Sequence, residues 1–370
     1  MKKNSMIFAV LLAALLITSI CQADGPSCSD GGSCNVCQHT LPELWLVNTR
    51  CAPTCGNVEV GFEQITYHRW DADHRQFVRS SREEFLSEEW SRPTLLFSHG
   101  NTLQHDKAME TACWPIYHRL KACPGPKRFV FWSWPSEPYH KRPLITPIKL
   151  TRKNLTTKYA FAEYQGYYIA KLIGMMSFAQ PITLSGHSYG AVTVISALHY
   201  LGGGSLNRLC LDSGSPEERC NLRAAIVSGA IDAHSINPGR RYGQALAPVH
   251  VFYNTYNPLD STLKMWPRFS TTDDEALGLI GAQACQLGPY AHKLQQDRMT
   301  EDVKRSHYLA PHLASSRMIS AICQTAFPIG ENSCNCASCS GNVDVSQPIP
   351  TIIETTSLDD GDLELTLSLD

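Results

Sequence analysis

The chain has 370 residues, 43% of them hydrophobic, with 32 Lys and Arg against 34 Asp and Glu and a formal net charge of -2. That is enough apolar material for one sizeable core, in one large α/β domain or in two. Seven of the acids and none of the bases lie between Gly341 and Asp370, so the body is mildly basic and the tail acidic. There is no dense basic stripe and no nucleic-acid motif, which argues against nucleic acid as a partner.

Met1-Lys2-Lys3 followed by the apolar run Ile7 to Ile17 has the form of a secretory signal peptide. Small residues at Cys21 and Ala23 place cleavage after Ala23. As an uncleaved anchor the run is short. As a lipoprotein signal, with Cys21 acylated, it has Ile20 where a small residue is wanted. No later stretch is long and apolar enough to span a bilayer. The expectation is a secreted or periplasmic protein with no transmembrane segment after signal removal.

Removing Cys21 leaves fourteen cysteines, an even number that favours disulfides in an exported chain. Cys28, Cys34, Cys37, Cys51 and Cys55 crowd one end, and Cys334, Cys336 and Cys339 the other. Both counts are odd, so at least one bridge should leave each cluster. Cys34-Asn35-Val36-Cys37 is a lone C-x2-C pair without a second pair at zinc-finger spacing, so no metal is expected. A continuous helix would hold Cys113 and Cys123 roughly 15 Å apart, beyond the reach of about 7 Å for a disulfide. Cys210 and Cys220 flank a Ser-Gly-Ser-Pro turn and are expected to pair.

The stretch 24–43 reads as a cysteine-rich extension. Leu44-Trp45-Leu46-Val47 is a first strand, and Val58 to Trp70 alternates as a second. Asp71 to His74 is a turn, and Gln76-Phe77-Val78 starts the return of an antiparallel edge hairpin. From Thr94 the rhythm becomes strand and helix in alternation. Strands are expected at Thr94–Ser98, Phe129–Trp134, Pro181–Ser185, Ala224–Val227 and Val249–Tyr253. Helices are expected at His105–Ala122, Lys158–Ile173 and Ala191–Leu198. This pattern predicts an α/β fold, a mostly parallel central sheet with helices on both faces. Pro135 to Thr151 is long for a connection and reads as a lid or an irregular loop. Residues 327–340 form a second cysteine-rich segment, and 341–370 an acidic tail expected to be disordered.

Gly186-His187-Ser188-Tyr189-Gly190 is a G-x-S-x-G stretch with a strand before it and a helix after it. That context is what a nucleophile elbow needs, a sharp turn that exposes the Ser188 hydroxyl. A serine nucleophile further requires a base, an orienting acid and two oxyanion donors. Asp260 and Asp232 each follow a late strand; Asp260 is placed first because Asn257-Pro258 suits a loop that can aim it, and Asp232 is the alternative. The base follows the acid in the chain. His307 fits, with His292 and His312 as alternatives, and His234 or His250 only if Asp232 is the acid. The N–H groups of Tyr189 and Asn101 are the natural oxyanion pair, with Thr102 in reserve for the second.

Thr94 to Asn101, the elbow, and an acid and a histidine in that order resemble an α/β-hydrolase domain over roughly Leu44 to Ala326. More narrowly, Leu46-Val47-Asn48-Thr49-Arg50, Trp134-Pro135-Ser136, Asn257-Pro258-Leu259-Asp260 and Ser306-His307-Tyr308 are similar to a group of secreted bacterial α/β hydrolases of unassigned function. The resemblance implies Ser188, Asp260 and His307 as a triad and names no substrate. The expectation is a serine hydrolase that acts on a small-molecule or lipid ester without a cofactor. A serine peptidase or acyltransferase would use the same residues, and a catalytically silent binding protein could use the same fold.

Overall fold

The computed structural model describes residues 42–54, 56–87, 91–137, 148–177, 180–211, 221–270 and 274–328. The expected signal peptide, nearly all of the cysteine-rich extension, the second cysteine cluster, the acidic tail and the middle of the proposed lid lie outside these residues.

Short apolar runs rich in β-branched and aromatic residues build the sheet. Its strands are β1 (Glu43–Asn48), β2 (Thr66–Asp71), β3 (Gln76–Ser80), β4 (Thr94–Ser98), β5 (Arg128–Ser133), β6 (Ile182–His187), β7 (Leu222–Val227), β8 (Val251–Tyr256) and β9 (Leu294–Arg298). They lie in the order β3-β2-β1-β5-β4-β6-β7-β8-β9. β2 is antiparallel to both of its neighbours, β1 and β3, and every other pairing is parallel. Every residue of β4, β5 and β6 is buried, as parallel strands covered on both faces require. This is the α/β-hydrolase fold, with an antiparallel hairpin at one edge.

Helices cover both faces. α1 (Val58–Glu63) and α2 (Arg82–Ser87) are short. α3 (Trp114–Leu120) continues the turn His105–Ala108 through a π-turn at Met109–Cys113. α4 (Ile148–Met175) and α5 (Gly190–Leu201) pack against each other on one face. Their crossing is tight at Gly166, where a Cβ would lie 2.4 Å from Cβ of Ser196. α3 lies on the other face with α7 (Ser316–Ala326), which α6 (Leu309–Ala314) precedes, and Ile116, Leu120, Met318 and Ile322 join in one core there.

Apart from the long helix α4, which begins at Ile148 within the stretch expected to be a loop rather than at Lys158, two elements differ from expectation. Val58 to Trp70 is not one strand: its first six residues are α1. Val58, Val60 and Phe62 mimic the period of a strand, but the Asn57 side chain caps a helix by accepting the N–H of Val60. Val58, Gly61 and Phe62 then face inward and Val60 stays exposed. The second difference is β9, an edge strand of sequence Leu-Gln-Gln-Asp-Arg with no apolar alternation to announce it.

Cys123 is bonded to Cys323, 200 positions later, with a Cα–Cα distance of 5.6 Å. The bridge ties the end of α3 to α7. Cys113 is not the partner, as the helix geometry required; it is a buried thiol among the side chains of that core. Cys51, Cys210 and Cys285 are exposed free thiols. The expected full pairing is therefore not met among the described residues, and Cys210 is not bridged. Breaking the Cys123–Cys323 bridge by serine at both positions should cost about 2–5 kcal/mol, read as a lower urea midpoint. A reductant should shift the wild type by at least this amount and shift the double variant less.

Candidate functional site

Parallel strands bring the ends of β4, β6, β7 and β8 to one edge of the sheet, where α/β proteins place their sites. β6 ends at His187, and Ser188 follows with φ of +55°, a left-handed conformation that is rare for serine. The turn is fixed by the N–H of Ser188 on the carbonyl of Val227 at 3.1 Å and by the N–H of Ala230 on the carbonyl of Ser188 at 3.2 Å. Its flanking glycines are obligatory. A Cβ at Gly186 would lie 2.2 Å from the carbonyl oxygen of Gly190, and one at Gly190 would lie 2.1 Å from that of Ser98. α5 starts directly after this turn.

Asp260 lies in the loop after β8 and is wholly buried. Its Oδ1 accepts the N–H groups of Thr262 and Leu263, each at 2.9 Å, and its Oδ2 lies 2.7 Å from His307 Nδ1. His307 Nε2 is 2.9 Å from Ser188 Oγ. The carboxylate holds the proton on Nδ1, so Nε2 is free to accept the serine hydroxyl. Asn257 joins the two loops: its Nδ2 donates to the carbonyl of Lys304 at 2.8 Å and its Oδ1 accepts from Thr300 at 3.1 Å. The N–H of Ser261 donates to the carbonyl of Arg305 at 3.1 Å.

The alternatives are elsewhere. Asp232 Oδ1 accepts Trp266 Nε1 and Ser270 Oγ, both at 2.7 Å, and anchors those residues rather than a histidine. His292 is exposed in the turn Gly288–Lys293. His234 pairs with Asp274, and His250 is exposed before β8. His312 is buried and bonded to Ser228.

The loop after β4 rests on Ser188: a Cβ on Gly100 would lie 3.3 Å from Cβ of Ser188. The N–H groups of Asn101 and Tyr189 have no protein acceptor among the described residues. That of Thr102 donates to the carbonyl of Ser136 at 2.9 Å, which removes Thr102 as a donor.

The side chains that shape this loop had no assigned role from sequence. The His99 ring stacks on Trp134, and Trp134 Nε1 donates to the carbonyl of His99 at 2.9 Å. Arg50, at the end of β1, pairs with Glu137 at 2.7 Å and donates to the carbonyl of Leu103 at 3.2 Å. Ser136 Oγ accepts the N–H of Leu103. The sequence signals for them are their places directly after β1, β4 and β5 and, for Arg50, Trp134 and Ser136, the stretches that carry the family resemblance. Tyr189 packs its ring on Tyr159 and Trp266 beside the elbow. Leu259 and Tyr308, next to the acid and the base, are exposed at 40% and 55%. Two surface cavities, of about 250 and 330 Å³, lie beside Tyr67 and beside Lys171 and contain none of the triad residues.

No protein-family model matches the chain, and no curated protein matches it in sequence. Among solved structures it is similar to acyl-protein thioesterase 2 of Zea mays, at 14% identity over 64% of this chain and 93% of that one, with a TM-score of 0.35. It is also similar to esterase B of Lactobacillus rhamnosis, at 11% identity over 75% of this chain and 82% of that one, with a TM-score of 0.32. Likenesses of this size carry no functional argument, which rests on the geometry.

Burial sets the charge of three histidines around the site. Burial and the nearby Arg50 guanidinium push His99 down to about 3. Burial holds His187 well below its ordinary value, and it lowers His312. All three are neutral when folded, whereas in the unfolded chain each takes up a proton near pH 6.5. Their stabilising share is complete above that pH and is lost as pH falls, for His99 down to about pH 3. Each should contribute up to about 1.4 kcal/mol per pH unit within its window. Urea midpoints measured from pH 7.5 to 5 should therefore fall with acid, and less steeply in His99→Gln. A flat profile would contradict the neutral burial.

Proposed function

We propose that this chain is an exported serine hydrolase that cleaves carboxylic esters through an acyl-enzyme. The observation that carries the reading is the hydrogen-bonded series Asp260–His307–Ser188, which ends on a serine held at φ of +55°. Ser188 Oγ attacks the ester carbonyl while His307 Nε2 takes its proton. Asp260 keeps the imidazole in the required tautomer and faces the imidazolium that forms. The oxyanion is met by the N–H groups of Tyr189 and Asn101, aided by the positive end of α5. When the tetrahedral centre collapses, the bond to the alcohol oxygen breaks and His307 returns the proton to that alcohol. Water, deprotonated by His307, then attacks the acyl-serine, releases the acid and restores Ser188.

Ser188→Ala should abolish labelling by a fluorophosphonate probe and lower turnover of a short-chain aryl ester by roughly three or more decades. His307→Ala should come close to it. Asp260→Asn should lower turnover far more than Asp232→Asn, and the reverse ranking would transfer the acid's role to Asp232. Full turnover in Ser188→Ala would end the reading.

Export is proposed from the N-terminal sequence, and the closed Cys123–Cys323 bridge suits an oxidising compartment. Intact mass of the secreted protein should place its first residue at Asp24. A chain that stays in the cytoplasm and keeps Met1 would refute export and leave the chemistry untouched.

A further inference from the structure

Two histidines outside the triad stand against its base. His187 is the residue before the nucleophile, and its Nε2 lies 2.9 Å from the backbone carbonyl of His307. A carbonyl only accepts, so Nε2 carries the proton and the imidazole donates. His312 lies in α6, fully buried, with Nδ1 2.8 Å from the carbonyl of Tyr308. That contact places its proton on Nδ1 and leaves Nε2 to accept the Ser228 hydroxyl at 2.8 Å. Ser228 is itself fixed at the end of β7, where its N–H donates to Thr255 Oγ1 at 3.1 Å.

The base loop is thus gripped at four carbonyls. Those of Lys304 and Arg305 accept from Asn257 and Ser261 of the acid loop, and those of His307 and Tyr308 accept from His187 and His312. The first two contacts set the distance between acid and base. The last two tie the base to the nucleophile's own turn and to the sheet. Within the loop itself the contacts are local, such as the N–H of Tyr308 on Ser306 Oγ at 3.2 Å.

We propose that His187 and His312 are positioning residues, which hold the backbone at His307 and Tyr308 so that the His307 ring stays between Asp260 and Ser188 during the reaction. The proposal rests on the triad reading above. Histidine suits the task because it donates from a rigid ring and is kept neutral by burial. The rings of His187 and His307 are 5.3 Å apart, and those of His187 and His312 are 6.4 Å apart. The groups that face the pair are His307 and, toward His312, Asp260 and Asp302. With both histidines neutral, the imidazolium that forms on His307 meets the charge of Asp260 and no added charge from this pair.

The test compares His187→Phe, which removes the donor, with His187→Gln, whose amide N–H can replace Nε2–H. For His187→Phe, kcat on a short-chain aryl ester should fall about 10- to 100-fold, the loss expected of a misplaced catalytic group, with KM within twofold. His187→Gln should recover to within about threefold of wild type. The low-field proton resonance of His307 Nδ1–H against Asp260 should weaken or vanish in His187→Phe and persist in His187→Gln. An unchanged kcat and resonance in His187→Phe would overturn the proposal. Equal losses in the two variants, both with the wild-type thermal midpoint, would overturn it as well. If His187→Phe does not fold, the resonance in His187→Gln decides: persistence supports the grip, and loss at an unchanged midpoint refutes it. The resonance does not depend on turnover. A wild type that shows it but hydrolyses no ester would count against the proposed reaction and not against the positioning.

Discussion

Crowding between the end of β4 and the turn after β6 is the constraint on which the rest of the site depends. The carbonyl oxygen of Ser98 occupies the space that a side chain at position 190 would need, and the carbonyl of Gly190 does the same to position 186. With both side chains removed, the chain can reverse tightly enough to force Ser188 into a left-handed conformation. Such a residue stores of order 1–3 kcal/mol of strain, held only because its surroundings leave no alternative. The same contact sets the loop after β4 against Ser188, since His99 and Gly100 continue directly from Ser98.

Four loops meet at that point, and each is tied to a neighbour by a few specific bonds. Arg50 reaches from β1 to the loop after β4, Trp134 and Ser136 hold it from β5, and Asn257 links the loop of Asp260 to that of His307. The electrostatics are correspondingly sparse. Asp260 is buried, among the described residues it pairs with no cation other than the one His307 can become, and its remaining oxygen is satisfied by two backbone N–H groups. Buried carboxylates persist when they are satisfied in this way.

Much of the architecture was legible in the sequence because the central strands are covered on both faces, and such strands read as apolar runs. Ser188, Asn101 and the two strands that carry them could be placed from local pattern alone. The choice of acid could not. Asp232 and Asp260 both follow a strand, and what separates them is that Trp266 and Ser270, 34 and 38 positions away, fold back onto Asp232. His307 and His312 are likewise only five residues apart, and the hydroxyl that claims His312 belongs to Ser228 on another strand. β9 has no apolar alternation because its polar residues suit an edge, where charge blunts pairing with other chains. In α1 alternate valines mimic a strand, and the Asn57 cap outweighs them.

The bridge between Cys123 and Cys323 also bears on the order of events during synthesis. Cys123 has no partner for this bridge until residue 323 of 370 has been made, and the loop that carries His307 enters only shortly before that partner. Ser188, its turn and most of the sheet therefore exist before His307. A chain halted before residue 307 would carry the turn at Ser188 without the histidine that bonds to it, and one halted before residue 323 would carry Ser188, Asp260 and His307 but lack the covalent tie across its second core. Closure of this bridge thus marks a chain in which all three of these residues are already present.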